Sequence, residues 1–262
     1  MARIIILYFD LHTGYYPSFH HGLAYLIGTL KSENHRVSLF HLIGEGDFDV
    51  TRKVLKEEKQ DIVGLSFTTN QKKYVRHFLK TTDISAKLTI AGGVHCTLVK
   101  EEVLEDFPEL DGVCVGEGEY PLKELCRRID NEEDFLSTPS FCFRTTEEIV
   151  KNPVASLQGV ESLPLPDYTL YNYNKIISDN GQCFPMMLSR GCPYNCHYCC
   201  NHAFKSIYPN KSDYVRFPSI ENSINLVKNN LLLYPETEKI IFADDTFTLN
   251  KKWLSDYRGS EF

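Results

Sequence analysis

The sequence predicts an α/β fold built on a doubly wound parallel sheet, and three observations in the first half of the 262 residues indicate it. Short apolar runs rich in β-branched residues recur along the chain. The stretches between these runs carry apolar residues at helical spacing, and glycines follow several of the runs. Because near-continuous apolar strands linked by helices form sheets covered on both faces, we expect a flavodoxin-like, Rossmann-like domain.

Five strands are predicted in this half, and they lie at residues 4–8, 37–42, 62–67, 88–91 and 112–115. Leu23, Leu26, Ile27 and Leu30 recur at a spacing of three to four residues between the first two strands. That spacing predicts a helix with one apolar face toward the sheet.

Glycines and small polar residues follow three of the predicted strands. Ligands of such sheets bind beyond the carboxyl ends of the strands, and glycine lets the backbone approach them closely. The candidate ligand-binding residues are Ser66, Thr68, Thr69, Gly92, Gly93, His95, Thr97, Gly116, Glu117 and Gly118. Ordinary turn chemistry is the alternative for any one of these segments. Three segments on one edge of a sheet favour a large ligand.

The pattern changes after residue 135, and we predict three further regions. Residues 136–180 are expected to hold a β-hairpin, with strands near 141–143 and 148–150, and a stiff linker that carries Pro164 and Pro166. Residues 181–258 open with a strand at 184–189. A helix at about 219–230 follows, with Ser219 as its N-cap, and then a strand at 239–243.

A cysteine motif lies just after the strand at 184–189. Residues 190–201 read RGCPYNCHYCCN, which spaces Cys192, Cys196 and Cys199 as CxxxCxxC. Three thiolates can hold three corners of a 4Fe-4S cluster, whereas ferredoxins supply four, so one iron would remain open for chemistry. A zinc site that adds His197 or His202 is the alternative, although no second CxxC or HxxxH pair completes it.

This motif resembles the cluster loop of radical S-adenosylmethionine (radical SAM) enzymes. The resemblance implies that Cys192, Cys196 and Cys199 ligate the cluster and that Cys200 does not. It also implies that S-adenosylmethionine chelates the open iron. One electron, from a donor such as flavodoxin or ferredoxin, would then cleave it to a 5′-deoxyadenosyl radical.

Two further residues are assigned to the S-adenosylmethionine site by the same resemblance. Tyr198 directly precedes the third cysteine of the motif, and Asp244 belongs to the segment FADDTF, which is similar to the family's FxDDxF. Helix capping or solvation is the alternative reading of the two adjacent aspartates.

The first half resembles the cobalamin-binding domain that precedes the barrel in one branch of that superfamily. The segments HHGLAYLIGTLKSENHRV, GLSFTT, AGGVHCT and VGEGE follow the order of that domain's motifs. Residues 1–135 would then bind cobalamin, and residues 181–258 would begin a partial (β/α) barrel. Phe19 stands where a DxHxxG motif would place the histidine, and Asp10, His12 and Gly14 form a motif one residue too short. We therefore expect a base-off cobalamin without a lower protein ligand.

The resemblance implies the N-terminal portion of a cobalamin-dependent radical SAM enzyme, with methyl transfer to a small-molecule or natural-product substrate as the common chemistry. The barrel pattern stops after one strand–helix unit and the next strand, so we expect a C-terminally truncated chain that is inactive alone. Residues 259–262 resemble a cloning scar. A non-catalytic corrinoid- or zinc-binding module and a regulatory flavodoxin-like domain are the alternatives.

Composition bears on the binding partners and the cellular location of the protein. The net charge of −7 and the lack of a basic cluster argue against nucleic-acid binding, and no apolar run is long enough to span a membrane. An odd set of nine cysteines without a signal peptide predicts reduced thiols and a cytoplasmic location. We expect four of them, Cys96, Cys114, Cys126 and Cys142, to be buried packing residues.

Overall fold

The computed structural model describes residues 1–11 and 18–260, and its largest element is a seven-stranded sheet. The strand order is β2-β1-β3-β4-β5-β6-β7, and β1 to β5 are parallel. The strands are β1 (Arg3–Phe9), β2 (Arg36–Leu42), β3 (Gln60–Ser66), β4 (Ala86–Gly92), β5 (Gly112–Cys114), β6 (Phe141–Arg144) and β7 (Ile149–Lys151). The order 2-1-3-4-5 is that of flavodoxin-like sheets, so the predicted fold class is confirmed.

Helices cover both faces of this sheet, because the strands carry apolar side chains on both faces. Along β1, Ile4 and Ile6 belong to one apolar cluster, and Ile5 and Leu7 belong to the other. The first cluster takes in α1 (His21–Ser32) and α6 (Glu119–Asp130), and the second takes in α2 (Asp47–Glu57), α3 (Lys72–Lys80) and α5 (Glu102–Asp106). Each fully buried side chain of this size contributes about 1.5–3 kcal/mol. The short α4 (Val94–Val99) follows β4.

The hairpin of β6 and β7 is part of the same sheet. Strand β6 pairs antiparallel with β5, and β7 pairs antiparallel with β6. The linker that follows lies on α1, where Asp167 N–H donates to the Ala24 carbonyl at 2.9 Å and the Lys31 ammonium pairs with the Asp167 carboxylate at 2.7 Å. A Cβ on Gly28 would lie 2.3 Å from the Leu165 carbonyl oxygen, so this close approach requires glycine.

The second module contains a parallel pair of strands, β8 (Cys183–Met186) and β9 (Lys239–Phe242). Its helices are α7 (Tyr173–Asp179), α8 (Asn201–Ile207), α9 (Ile220–Leu233) and α10 (Lys251–Arg258). The Ser219 hydroxyl accepts a hydrogen bond from Asn222 N–H at 3.1 Å, which confirms the predicted N-cap. Strand β8 ends three residues before the predicted position, because the backbone at Leu188 and Ser189 bonds to the Asp244 carboxylate instead of to a strand.

One apolar cluster joins the two modules. Phe184 of β8 lies 5.1 Å from Phe19, and 5.2 Å from Tyr168 at the end of the linker, measured between ring centroids. Leu226 and Trp253 extend this cluster into α9 and α10. The second module is therefore packed on the same face of the sheet as α1. Every helix of the described residues is too short or too polar to cross a bilayer.

Candidate functional site

A cavity of about 270 Å³ lies at the carboxyl edge of β3, β4 and β5. Its lining is mostly apolar and includes Leu23 and Leu26 of α1, Ile90 of β4 and Leu122 of α6. Seven of the residues predicted from the strand ends line it: Ser66, Gly92, Gly93, Thr97, Gly116, Glu117 and Gly118. The parallel sheet brings them together because the carboxyl ends of its strands share one edge.

Three predicted residues lie outside this cavity. Thr68 forms a capping box with Gln71, and its N–H donates to the Gln71 side-chain oxygen at 2.8 Å. Thr69 Oγ1 lies 3.1 Å from Nδ1 of His95, whose ring is buried against Phe67. Burial lowers the pKa of His95, which favours the neutral ring. These side chains stabilise the loops behind the cavity.

Two glycines shape the cavity wall by backbone conformation. Gly93 has φ of +93°, and a Cβ there would lie 3.1 Å from the Ser66 hydroxyl. Gly116 has φ of +91°, and its N–H donates to Thr97 Oγ1 at 3.1 Å. Both positions lie in the left-handed region, which side chains other than glycine rarely adopt.

A further part of the cavity wall comes from the second module, and none of its residues was predicted as a site residue from the sequence. Arg190, Phe204, Tyr208 and Tyr214 line the cavity from the segment around the cysteine motif. The Tyr208 hydroxyl accepts a hydrogen bond from Glu117 N–H at 2.8 Å. Arg190 could have been noticed as the first residue of the quoted motif, whereas the tyrosines belong to no pattern that indicates a site.

His20 lines the cavity from the start of α1. Its Nδ1 accepts a hydrogen bond from Leu23 N–H at 3.1 Å and thereby caps the helix. Burial lowers the pKa of His20, so the ring is neutral and carries its proton on Nε2. Neither nitrogen is then free to ligate a metal unless this cap breaks.

The motif of Asp10, His12 and Gly14 lies largely outside the described residues, since only Asp10 is described. The Asp10 Oδ2 atom lies 2.9 Å from His41 Nε2, and it accepts a hydrogen bond from Ser18 N–H at 3.2 Å. Phe19 is buried within the aromatic cluster that joins the two modules.

The cysteine loop lies on the surface. Cys192 and Cys199 are half-buried, Cys196 is exposed, and Tyr198 is 93% exposed. Cys199 N–H donates to the Cys196 carbonyl at 3.1 Å, which closes a turn between these cysteines. The accessible thiols are open to an incoming metal centre.

Side chains from α8 hold this loop. The Lys205 ammonium donates to the Pro193 carbonyl and to Asn195 Oδ1, both at 2.8 Å. Asn201 Nδ2 lies 3.6 Å from Cys199 Sγ and 3.0 Å from Asp245 Oδ1. These contacts fix the shape of the loop and place an amide donor beside the Cys199 thiol.

Asp244 fastens the base of the loop. Its carboxylate accepts hydrogen bonds from Leu188 N–H, at 3.2 Å, and from the N–H and hydroxyl of Ser189. This acid thus ties the end of β9 to the segment that leads into Cys192.

The donor set of the loop fits an iron–sulfur cluster. Within residues 1–11 and 18–260, no three His, Cys, Asp or Glu side chains converge as they would on a single metal ion. A cluster differs from a single ion because each cysteine binds a separate corner. The neighbouring Cys200, which the resemblance leaves out of the ligand set, is exposed, whereas Cys199 is half-buried.

The remaining five cysteines are buried, which confirms the prediction for Cys96, Cys114, Cys126 and Cys142 and adds Cys183. Burial raises the pKa of Cys114 and of Cys126 to about 12. Thiols of that kind remain protonated and unreactive near neutral pH.

Comparisons with known proteins find similarity over most of the chain. Residues 11–126 match the B12 binding domain. The chain is 31% identical over 241 residues to an uncharacterized methyltransferase, PH0819, of Pyrococcus horikoshii. The match covers 90% of this chain and 50% of that protein. It is 26% identical over 249 residues to an anaerobic magnesium-protoporphyrin IX monomethyl ester cyclase of Cereibacter sphaeroides, covering 90% of this chain and 39% of the cyclase.

A solved structure shares the fold across nearly the whole chain. The cobalamin-dependent S-adenosylmethionine radical enzyme OxsB, with aqua-cobalamin and S-adenosylmethionine bound, superposes with a TM-score of 0.79 at 21% identity. The match covers 98% of this chain and 36% of OxsB. This chain spans about half the length, or less, of the curated relatives named here.

Proposed function

Since this chain carries a B12-binding domain and is related to cobalamin-dependent radical SAM enzymes, we propose that it binds cobalamin at the sheet edge and a 4Fe-4S cluster on the cysteine loop. One observation carries the proposal. The cavity that the B12-binding domain forms at its strand ends is closed by residues next to the cysteine motif, such as Arg190 and Tyr208. The two cofactor sites thus share a wall.

The cavity suits one part of cobalamin. Its volume of about 270 Å³ lies just below the range of roughly 300–1,000 Å³ for pockets that hold drug-sized ligands, and whole cobalamin is far larger. The flat, apolar nucleotide base matches the apolar lining and the bare backbone of Gly92 and Gly93. When cobalamin is bound, residues such as Leu23, Gly92 and Gly93 would hold this base.

The cluster would be held by Cys192, Cys196 and Cys199. When bound, it supplies the electron that cleaves S-adenosylmethionine in radical SAM chemistry. The chain's own contribution is to orient the loop through Asp244 and Asn201 and to leave Tyr198 exposed. S-adenosylmethionine would bind at the iron that the three cysteines leave open.

For the whole protein we propose methyl transfer to a small-molecule substrate, with an electron donor such as flavodoxin or ferredoxin. The name of PH0819 supports this class of reaction. The cyclase among the relatives shows that a similar chain belongs to an enzyme named for another reaction. Binding of both cofactors is accordingly the part of the proposal that this chain can test directly.

The cluster is tested by anaerobic reconstitution with iron and sulfide. We expect about four iron and four sulfide per chain. Cys196→Ser should abolish this uptake, whereas Cys200→Ser, the matched control, should retain it. Stoichiometric zinc in place of iron would instead support the zinc-binding alternative.

The corrinoid is tested by retention of hydroxocobalamin through gel filtration. Gly92 has ordinary space around its Cβ position, with Cys114 Cβ at 3.8 Å, so Gly92→Val adds bulk to the cavity without backbone strain. We expect about tenfold weaker binding, because overpacking costs about 1–3 kcal/mol. Gly159→Val, where nothing lies within 4 Å, is the control. Loss of cobalamin from the unsubstituted chain would favour the regulatory-domain alternative.

A further inference from the structure

Glu117 was predicted from the sequence as a ligand contact, yet both of its carboxylate oxygens pair with arginines. Oε2 lies 3.0 Å from Nη1 of Arg190 and 3.1 Å from Nη1 of Arg216, and Oε1 pairs with Nη2 of Arg216. Its backbone N–H donates to the Tyr208 hydroxyl. Little of Glu117 remains for a ligand in the cavity.

Glu119 makes the second half of this network. Its Oε1 lies 2.7 Å from Nη2 of Arg190, and the two side chains are only 6% and 11% exposed. The Arg190 guanidinium also lies over the ring of Tyr25 in α1, 4.5 Å from its centroid. Arg190 is thus bound by two acids and one aromatic ring, all from the B12-binding domain.

The arginines belong to the backbone that carries the cysteine loop. Arg190 and Arg216 exchange two backbone hydrogen bonds of 2.9 Å, and Gly191 and Cys192 follow Arg190 directly. Arg216 Nη1 donates to the Gln158 carbonyl at 2.6 Å. A shift of the Arg190 guanidinium would therefore move the first cysteine of the motif.

We propose that Glu117 and Glu119 are positioning residues that hold the cysteine loop against the cobalamin cavity through Arg190 and Arg216, and that their carboxylates do not contact cobalamin. The inference rests on the proposed function. Two acids and two arginines balance in charge, so removing one member leaves a buried charge without its partner. The network would set the geometry of the cluster ligands in the way that outer partners orient metal ligands.

Glu117→Gln tests this assignment with two separate readouts. We expect iron retention against a chelator to fall about tenfold, with an altered electron paramagnetic resonance signal of the reduced cluster. The Kd for hydroxocobalamin should stay within about twofold of the unsubstituted value. The matched control is Glu124→Gln, which removes an acid held by Arg127 and Arg128 on the outer side of α6. It should change neither readout.

A second pair of variants separates positioning from stability. Arg190→Gln leaves the buried Glu119 without its arginine, and adding Glu119→Gln restores the charge balance. We expect the double variant to regain much of the Tm lost by Arg190→Gln while its cluster signal stays altered. Recovery of both together would overturn the positioning role.

The inference is also overturned if Glu117→Gln weakens cobalamin binding and leaves the cluster signal unchanged, because Glu117 would then be a cofactor contact. A failure of the proposed function looks different. In that case the unsubstituted chain itself takes up neither iron and sulfide nor hydroxocobalamin.

Discussion

Gly116→Ala tests the join between the sheet edge and the second module. A Cβ at this position would lie 2.7 Å from the Tyr208 hydroxyl oxygen and 3.2 Å from its Cζ. The backbone φ of +91° is itself unfavourable for alanine. The substitution therefore has to strain the backbone and push Tyr208 away from the cavity wall.

The expected loss of stability follows from these two contacts. Holding a side-chain residue at this φ costs about 1–3 kcal/mol. Moving Tyr208 breaks the hydrogen bond that its hydroxyl accepts from Glu117 N–H, which is worth about 0.5–1.5 kcal/mol. The free energy of unfolding should fall by about 1.5–4.5 kcal/mol.

Urea denaturation of the Gly116→Ala variant and of the unsubstituted chain measures this difference in unfolding free energy. The dependence of that free energy on urea concentration should be the same for both proteins. Gly159→Ala is the control, because nothing lies within 4 Å of its Cβ position, and it should change stability by less than about 0.5 kcal/mol. Adding Tyr208→Phe to Gly116→Ala removes the oxygen that clashes and should recover part of the loss. If Gly116→Ala matches the unsubstituted chain in stability, the contact between Gly116 and Tyr208 has been misjudged.

Three further outcomes are expected. Gly191→Ala should destabilise the chain by about 3 kcal/mol in the same assay, because its φ is +83° and its Cβ would lie 2.1 Å from the Tyr214 carbonyl oxygen; an unchanged urea midpoint would contradict this. Burial lowers the pKa of His21, which lies 2.9 Å from the Tyr168 hydroxyl, from 6.5 to about 4. The unfolded chain then binds the proton first, so stability relative to His21→Gln should fall by up to about 3 kcal/mol between pH 6.5 and 4, and parallel pH profiles would refute it. Cob(II)alamin bound to a chain labelled with ¹⁵N-histidine should show no ¹⁵N splitting in its paramagnetic resonance spectrum, because His20 uses Nδ1 as a helix cap; a split signal would identify a histidine ligand.

The positions of the strands were predictable because each depends on a local pattern. The predicted strands agree with β1 to β5 within two residues at either end, because short β-branched apolar runs bounded by turn residues favour buried strands. The glycines at the strand ends were predictable for a similar reason. A turn that needs a positive φ, as at Gly93 and Gly116, selects glycine in the sequence itself.

The end of β8 was predicted wrongly because its cause is distant in the sequence. The apolar run continues through Leu188, but the Asp244 carboxylate, 56 residues later, takes the Leu188 N–H. The hairpin of β6 and β7 was predicted from its own pattern. Its pairing with β5 depends on contacts that no local pattern contains.

The amino-acid sequence by itself determined the parallel sheet, the spacing of Cys192, Cys196 and Cys199, and the set of small residues at the sheet edge, because burial, turn conformation and metal ligation each act over a few neighbouring residues. Only the tertiary structure decided what closes the cavity and what Glu117 does. Arg190 reaches Glu119 across 71 positions of chain, and Arg216 reaches Glu117 across 99. Such ion pairs form when packing buries both partners together, and the burial of each depends on the whole fold.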